Sequence, residues 1–86
     1  MAQFKVEFTS SVLRQLDKLP SKISHKLVAA AESLGDTPYP IGTKKMQGGQ
    51  DLWRIRVGDY RIIYRVERHR LVVLILRIGH RREVYR

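Results

Sequence analysis

Three arginines at alternating positions, Arg54, Arg56 and Arg61, are the side chains of this sequence best placed to do chemistry. A guanidinium stays protonated and presents a planar fork of donors, so it can hold two oxygens of one phosphate. Residues 52–57 alternate Trp53, Ile55 and Val57 with Arg54 and Arg56, and residues 60–66 alternate Tyr60, Ile62, Tyr64 and Val66 with Arg61 and Arg65. Period-two alternation marks strands with one buried face. Only Gly58 and Asp59 separate the runs, and a two-residue connection with glycine first fits a primed hairpin turn. With Val57 opposite Tyr60, Ile55 falls opposite Ile62, Trp53 opposite Tyr64 and Arg56 opposite Arg61. Apolar side chains then share one face, and Arg54, Arg56 and Arg61 share the other. Like charges directly opposed destabilise a hairpin, so the pattern predicts an anion lying across the arginines. The plain alternative is a solvated sheet face that happens to carry arginine.

The elements that must hold this hairpin follow from the rest of the chain. Phe4, Val6 and Phe8 alternate with Lys5 and Glu7, which predicts a short first strand. Thr9 or Ser10 is placed to cap a helix in which Val12, Leu13, Leu16 and Leu19 recur at helical spacing, and Pro20 ends it. Ser21 is expected to cap a second helix with the stripe Ile23, Leu27, Ala30, Ala31 and Leu34, and Gly35 stands where a C-terminal glycine belongs. Residues 36–51 contain Pro38, Pro40 and three glycines and read as a long loop carrying Lys44 and Lys45. Residues 71–78 are apolar on both faces apart from Arg77, which suits a central strand. Gly79 is expected to introduce a bulge, so parity does not assign His80, Arg81, Arg82 or Tyr85 to a face. The fold class is α+β: an antiparallel sheet in the order strand, helix, helix, strand, strand, strand. The helical hairpin is expected on its apolar face, burying Trp53, Ile55 and Ile62.

At 86 residues the expectation is one small domain spanning residues 1–86, burying roughly 60–65% of its unfolded surface. A hydrophobic content of 43% excludes a disordered chain. The absence of cysteine excludes a disulfide framework and a thiolate metal site. His25 and His69 have no second histidine or carboxylate at ligand spacing, so neither metal nor cofactor is expected. No signal-peptide pattern opens the sequence, and its longest apolar run is too short to span a bilayer; a cytoplasmic protein with no membrane partner is expected. The net charge of +9 is unevenly placed, since ten of the eleven arginines lie from Arg54 onward. That balance points to nucleic acid as the partner class. Lys44, Lys45, Arg65 and Arg82 would extend a phosphate track from the hairpin.

The segments FKVEF of residues 4–8, LDKLP of residues 16–20, LWRIRVGDYRIIYRV of residues 52–66 and IGHRREVY of residues 78–85 together resemble the RelE/ParE superfamily of bacterial toxins, in its RelE-like branch. The likeness covers nearly the whole chain, and its most specific part is the GDYR turn followed by the distal GHRR-x-VY. It implies a fold similar to microbial ribonucleases and a RelB-like antitoxin that neutralises the toxin. It also implies cleavage of messenger RNA in the ribosomal decoding site, with operator DNA as a further partner of the toxin-antitoxin complex. The functional positions it implies are Arg54, Arg56, Arg61, Arg81 and Tyr85. A ParE-like toxin that binds DNA gyrase and a plain RNA-binding module are the competing readings.

RNA cleavage without a metal needs a base for the 2'-hydroxyl proton, positive charge for the five-coordinate phosphorane and an acid for the leaving oxygen. Arg61 and Arg81 suit the charge, and Tyr85 suits base stacking or orientation of the nucleophile. Some relatives carry lysine where this chain has Arg54 and Arg56, and arginine does not usefully deprotonate. His80, which titrates near neutrality, is therefore the sequence's candidate for proton transfer. With so few acids and bases, activity should depend on the ribosome to align the RNA.

Overall fold

The computed structural model describes residues 3–47 and 51–80. Its elements are β1 (Lys5–Phe8), α1 (Ser10–Asp17), α2 (Ser21–Ser33), β2 (Lys44–Lys45), β3 (Leu52–Val57), β4 (Tyr60–Glu67) and β5 (Val72–His80). The α+β order is the expected one with a single addition. Lys44 and Lys45, expected in a loop, pair with Arg54 and Trp53 as a two-residue edge strand. The five strands form one sheet in the order β1-β5-β4-β3-β2. Its β2-β3, β3-β4 and β4-β5 pairs are antiparallel, whereas β1 lies parallel to β5. The sheet is thus mixed at one edge, an arrangement that needs a long connection between the parallel strands, here both helices and the whole hairpin.

Thr9 caps α1, its hydroxyl accepting from the Val12 N–H at 3.2 Å. Val12 and Leu16, one turn apart, are the buried residues of that helix. The Gln15 side-chain carbonyl accepts from the Ile78 N–H at 3.0 Å, which ties α1 to β5. Pro20, rather than Ser21, occupies the cap position of α2, with no side-chain capping bond. The fixed φ of proline suits entry into a helix. Leu27, Ala31 and Leu34 then pack with Val12 and Leu16 against Ile62, Tyr64, Val66, Val73, Ile75 and Ile78 on one face of the sheet. Ile62 is fully buried as expected, but Trp53 and Ile55 are only half-buried at the core margin, because β3 lies toward the sheet edge.

Gly35 serves a different purpose from a left-handed helix cap. The positive-φ glycines among the described residues are Gly42 and Gly58. A Cβ on Gly35 would stand 2.7 Å from the Phe4 carbonyl oxygen and 3.1 Å from Val6 Cγ2, and the Gly35 carbonyl accepts from the Phe4 N–H at 3.0 Å. The residue is glycine so that the end of α2 can seat on β1. Gly35→Ala is accordingly expected to destabilise the fold by about 1–3 kcal/mol through overpacking, read as a lowered denaturation midpoint.

Tyr64 is fully buried, and its hydroxyl donates to the Pro38 carbonyl at 2.7 Å and lies 3.2 Å from Thr43 Oγ1. These bonds fasten the segment between α2 and β2 to the sheet. Burial pushes the Tyr64 phenol above its ordinary pKa, a shift that the Thr43 bond partly opposes. A folded-state pKa above the unfolded one adds stability that is present in full below about pH 10 and lost as pH rises further. Tyr64→Phe should cost about 1–2 kcal/mol at neutral pH by leaving the Pro38 carbonyl unpaired. It should also flatten the alkaline limb of the stability profile, a result that denaturant melts at pH 7 and pH 11 would show.

The bulge also departs from expectation. Ile63 opposes Arg77 while Tyr64 opposes Ile75, so the extra residue is Leu76 and not Gly79. Beyond it, Arg61 pairs with Gly79 and Tyr60 with His80. One inserted residue reverses parity along β5. Arg77 is thereby carried to the face of Arg54 and Arg61, and His80 to the face of the helices.

Candidate functional site

The β3-β4 turn takes Gly58 at φ 60°, with no positive φ at Asp59, the pattern of a type II' hairpin turn. The register is the expected one, with Val57 opposite Tyr60, Ile55 opposite Ile62, Trp53 opposite Tyr64 and Arg56 opposite Arg61. Arg54, opposite Ile63, shares the arginine face, and β2 brings Lys44 directly beside it. The four side chains of Lys44, Arg54, Arg56 and Arg61 line one cavity of about 240 Å³. Among the described residues no carboxylate lines it.

Arg61 is only 6% exposed, the one charged side chain in the buried set of the described residues, while Arg56 and Lys44 are exposed. Two cross-strand pairs of like charge, Arg56 with Arg61 and Lys44 with Arg54, each oppose folding by about 0.2–1 kcal/mol. A phosphate entering the cavity reverses that repulsion. Its attraction to Arg61 is stronger for being formed away from bulk water, and each guanidinium can bind it through two N–H groups. Arg77 stands on the same face, across Ile63 from Arg54.

The other sequence candidates are dispersed. Arg65 hydrogen-bonds Glu67, with both Nε and Nη2 at 3.1 Å from Oε2, and Glu67 also binds Arg70. Burial alone would raise the Glu67 carboxyl, but the Arg65 bond and the charges of Arg70 and Arg65 outweigh it and hold its pKa below the ordinary carboxylate value. Arg65 is therefore engaged in a local cluster outside the cavity. Lys45 points to the opposite face, with Nζ 5.9 Å from the Trp53 ring centroid. His80 packs edge-on against Tyr60, the centroids 5.7 Å apart, and lines a separate cavity with Gln15, Lys18 and Leu19 of the helical side. The structure does not bring it to the arginines. Arg81, Arg82 and Tyr85 lie outside the described residues. Among the described residues no three His, Cys, Asp or Glu side chains cluster to hold a metal ion, and no helix is long and apolar enough to cross a membrane.

Sequence reasoning missed Arg77 and the place of Lys44. The bulge hid the first, because β5 is apolar on both faces and its parity has no outward signal. The second rests on a two-residue strand, too short to show any period.

The family model for the ParE toxin of type II toxin-antitoxin systems, parDE, matches residues 6–85. Toxin RelG of Mycobacterium tuberculosis is 33% identical over 84 residues, covering 96% of this chain and 97% of that one. Two crystal structures are similar throughout. The RelBE2 toxin-antitoxin complex of M. tuberculosis has a TM-score of 0.80 at 31% identity, covering 91% of this chain and 98% of the other. The archaeal RelE-RelB complex of Pyrococcus horikoshii OT3 has a TM-score of 0.82 at 30% identity, covering 94% and 98%. Fold and relatives together define a toxin of a type II toxin-antitoxin system. The chain belongs to the RelE/ParE superfamily.

Proposed function

We propose that the chain is a cytoplasmic endoribonuclease that cleaves messenger RNA in the ribosomal decoding site and so inhibits translation. The observation that carries this reading is the cavity that four cations line, with Arg61 buried among them. A pure protein-binding toxin has no need of a buried guanidinium in such a setting. In the reaction the 2'-oxygen attacks phosphorus and the bond from phosphorus to the 5'-oxygen breaks. The products are a 2',3'-cyclic phosphate and a 5'-hydroxyl. Arg61 and Arg56 hold the non-bridging oxygens as charge builds on the phosphorane. Solvent takes the 2'-hydroxyl proton, and the Lys44 ammonium, the lining side chain among the described residues that can release a proton, donates one to the leaving 5'-oxygen. Arg54 and Arg77 bind the flanking phosphates. Arg81 adds a phosphate contact, and Tyr85 stacks on a base or orients the nucleophile. No step needs a metal. His80, packed on Tyr60, takes no part, and His80→Ala should leave the cleavage rate unchanged.

One proton-exchanging group is a sparse inventory, so the ribosome must supply alignment of the RNA. A RelB-like antitoxin is the natural inhibitor, its acidic segment lying across the basic face; the similar crystal structures are toxin-antitoxin complexes. The toxin-antitoxin pair would in turn bind operator DNA.

The test is cleavage of a reporter messenger RNA by the purified chain, with and without ribosomes. Cuts that need ribosomes and carry 2',3'-cyclic phosphate ends are expected. Intact RNA under both conditions, from folded protein, would overturn the reading. A second reading, gyrase inhibition, is favoured by the ParE family match over residues 6–85, and a DNA supercoiling assay on the same preparation decides between them.

A further inference from the structure

Across the β2 edge from the cation cavity, four side chains from separate segments form a row. The rings of Tyr39 and Trp53 meet edge-on with centroids 4.7 Å apart and planes at 61°. At the Tyr39 end, Arg68 donates from Nε and Nη2 to the tyrosine hydroxyl at 3.3 and 3.2 Å, and its guanidinium carbon lies 5.3 Å from the ring centroid. At the other end, Lys45 Nζ stands over Trp53. The order along the surface is cation, aromatic, aromatic, cation.

Packing of the segment between α2 and β2 accounts for Tyr39 against Trp53, but it does not call for a cation at each end. Tyr39 remains 37% exposed despite its neighbours, and the Lys45 side chain is 60% exposed. Arg68 forms no ion pair with a carboxylate among the described residues, whereas Arg65 and Arg70 beside it are both held by Glu67. Lys45 does approach Asp51 at 3.8 Å, with both side chains exposed, an interaction of little strength in water. Lys44 and Lys45 are adjacent on the edge strand and point to opposite faces. A polyanion crossing that edge therefore passes from the cation cavity to the aromatic row without leaving positive charge.

We propose that Tyr39, Trp53, Lys45 and Arg68 form a second RNA contact. It would seat an unpaired nucleobase against the Tyr39 ring and the neighbouring phosphates on Lys45 and Arg68. The inference rests on the RNA reading above and extends it to a single strand that crosses β2. Aromatic rings interleaved with cations bind single strands because every base has a stacking face, whereas in a duplex that face is already occupied.

The chain's single tryptophan is Trp53, so its fluorescence reports on this row alone. The experiment titrates the full chain with a single-stranded RNA oligonucleotide and with the corresponding duplex, at several salt concentrations. The single strand should change Trp53 emission and the duplex should not. Tyr39→Leu should weaken single-strand binding roughly tenfold. Lys45→Gln and Arg68→Gln, both at exposed positions, should each lower the log-log salt slope by about 0.7 while leaving the melting midpoint in place. Unchanged emission, or unchanged affinity and slope in all three variants, would reduce the row to a loop fastening and overturn the proposal, even if the ribosome assay succeeds. Equal effects of duplex and single strand would overturn the stacking. If emission and variants respond while ribosomal cleavage is absent, the RNA contact stands and the nuclease reading falls.

Discussion

Arg61→Ala is expected to lower ribosome-dependent cleavage by about 10²–10³-fold, the loss typical of removing one preorganised donor from a developing oxyanion. The expectation follows from where the side chain sits. Arg61 is 6% exposed and faces Arg56 across the hairpin, so its charge acts in a less polarisable surrounding than that of any exposed arginine. Truncating a buried side chain ordinarily destabilises a fold, but this one also removes a like-charge repulsion, and the two effects oppose each other. The fold should therefore survive in a thermal melt while the rate collapses. Arg14→Ala is the matched control, since Arg14 is exposed on α1 and its removal changes net charge by the same amount. If both variants slow cleavage equally, Arg61 contributes only long-range attraction for RNA and the cavity loses its claim to be the active site. Arg61→Lys separates charge from geometry, because lysine restores the charge without the bidentate fork.

The hairpin was legible in the sequence because two independent signals agreed. The alternation of residues 52–57 and 60–66 set the faces, and Gly58-Asp59 set the loop length. Together they fix a register in which Arg56 must oppose Arg61, as observed. The helices were legible from their apolar spacing, with Thr9 capping as its type suggests. Where reading failed, the local signal was ambiguous and a tertiary contact decided. Gly35 looked like a left-handed cap, yet its role is the 2.7 Å approach to the Phe4 carbonyl, which joins segments far apart in sequence. Trp53 looked like core, yet β3 lies near the sheet edge and leaves it half-buried.

The bulge at Leu76 had the largest consequence for the site. Because β5 is apolar on both faces, inserting one residue leaves no mark in its hydrophobic pattern, although it exchanges the faces of everything beyond. The sequence offered His80 for proton transfer while leaving its face open, and the bulge carries it to Tyr60. Arg77 moved the other way. The arginines of strands whose register was secure were thus assigned to one face, while residues past the expected bulge had no face assigned from sequence.

In the proposed reaction that relocation leaves the proton transfer to Lys44, and the second large effect follows. Lys44→Arg preserves the positive charge beside Arg54 but removes the one lining group among the described residues that can give up a proton. Cleavage should fall by about 10²–10⁴-fold, the usual contribution of a positioned acid or base, with RNA affinity and its salt dependence unchanged. Lys44→Ala should lose a comparable factor in rate and, in addition, one phosphate contact. A small primary amine added to Lys44→Ala should restore part of the rate, because as its ammonium it can occupy the space left at the cavity rim and donate the proton; added to Arg61→Ala it should restore nothing. Rescue of that kind would not occur if Lys44 only anchored phosphate. Full activity in Lys44→Arg would have the opposite meaning. The cavity would then act by charge alone, and the leaving 5'-oxygen would draw its proton from water or the ribosome, with the protein supplying the electrostatic field of its arginines and little else.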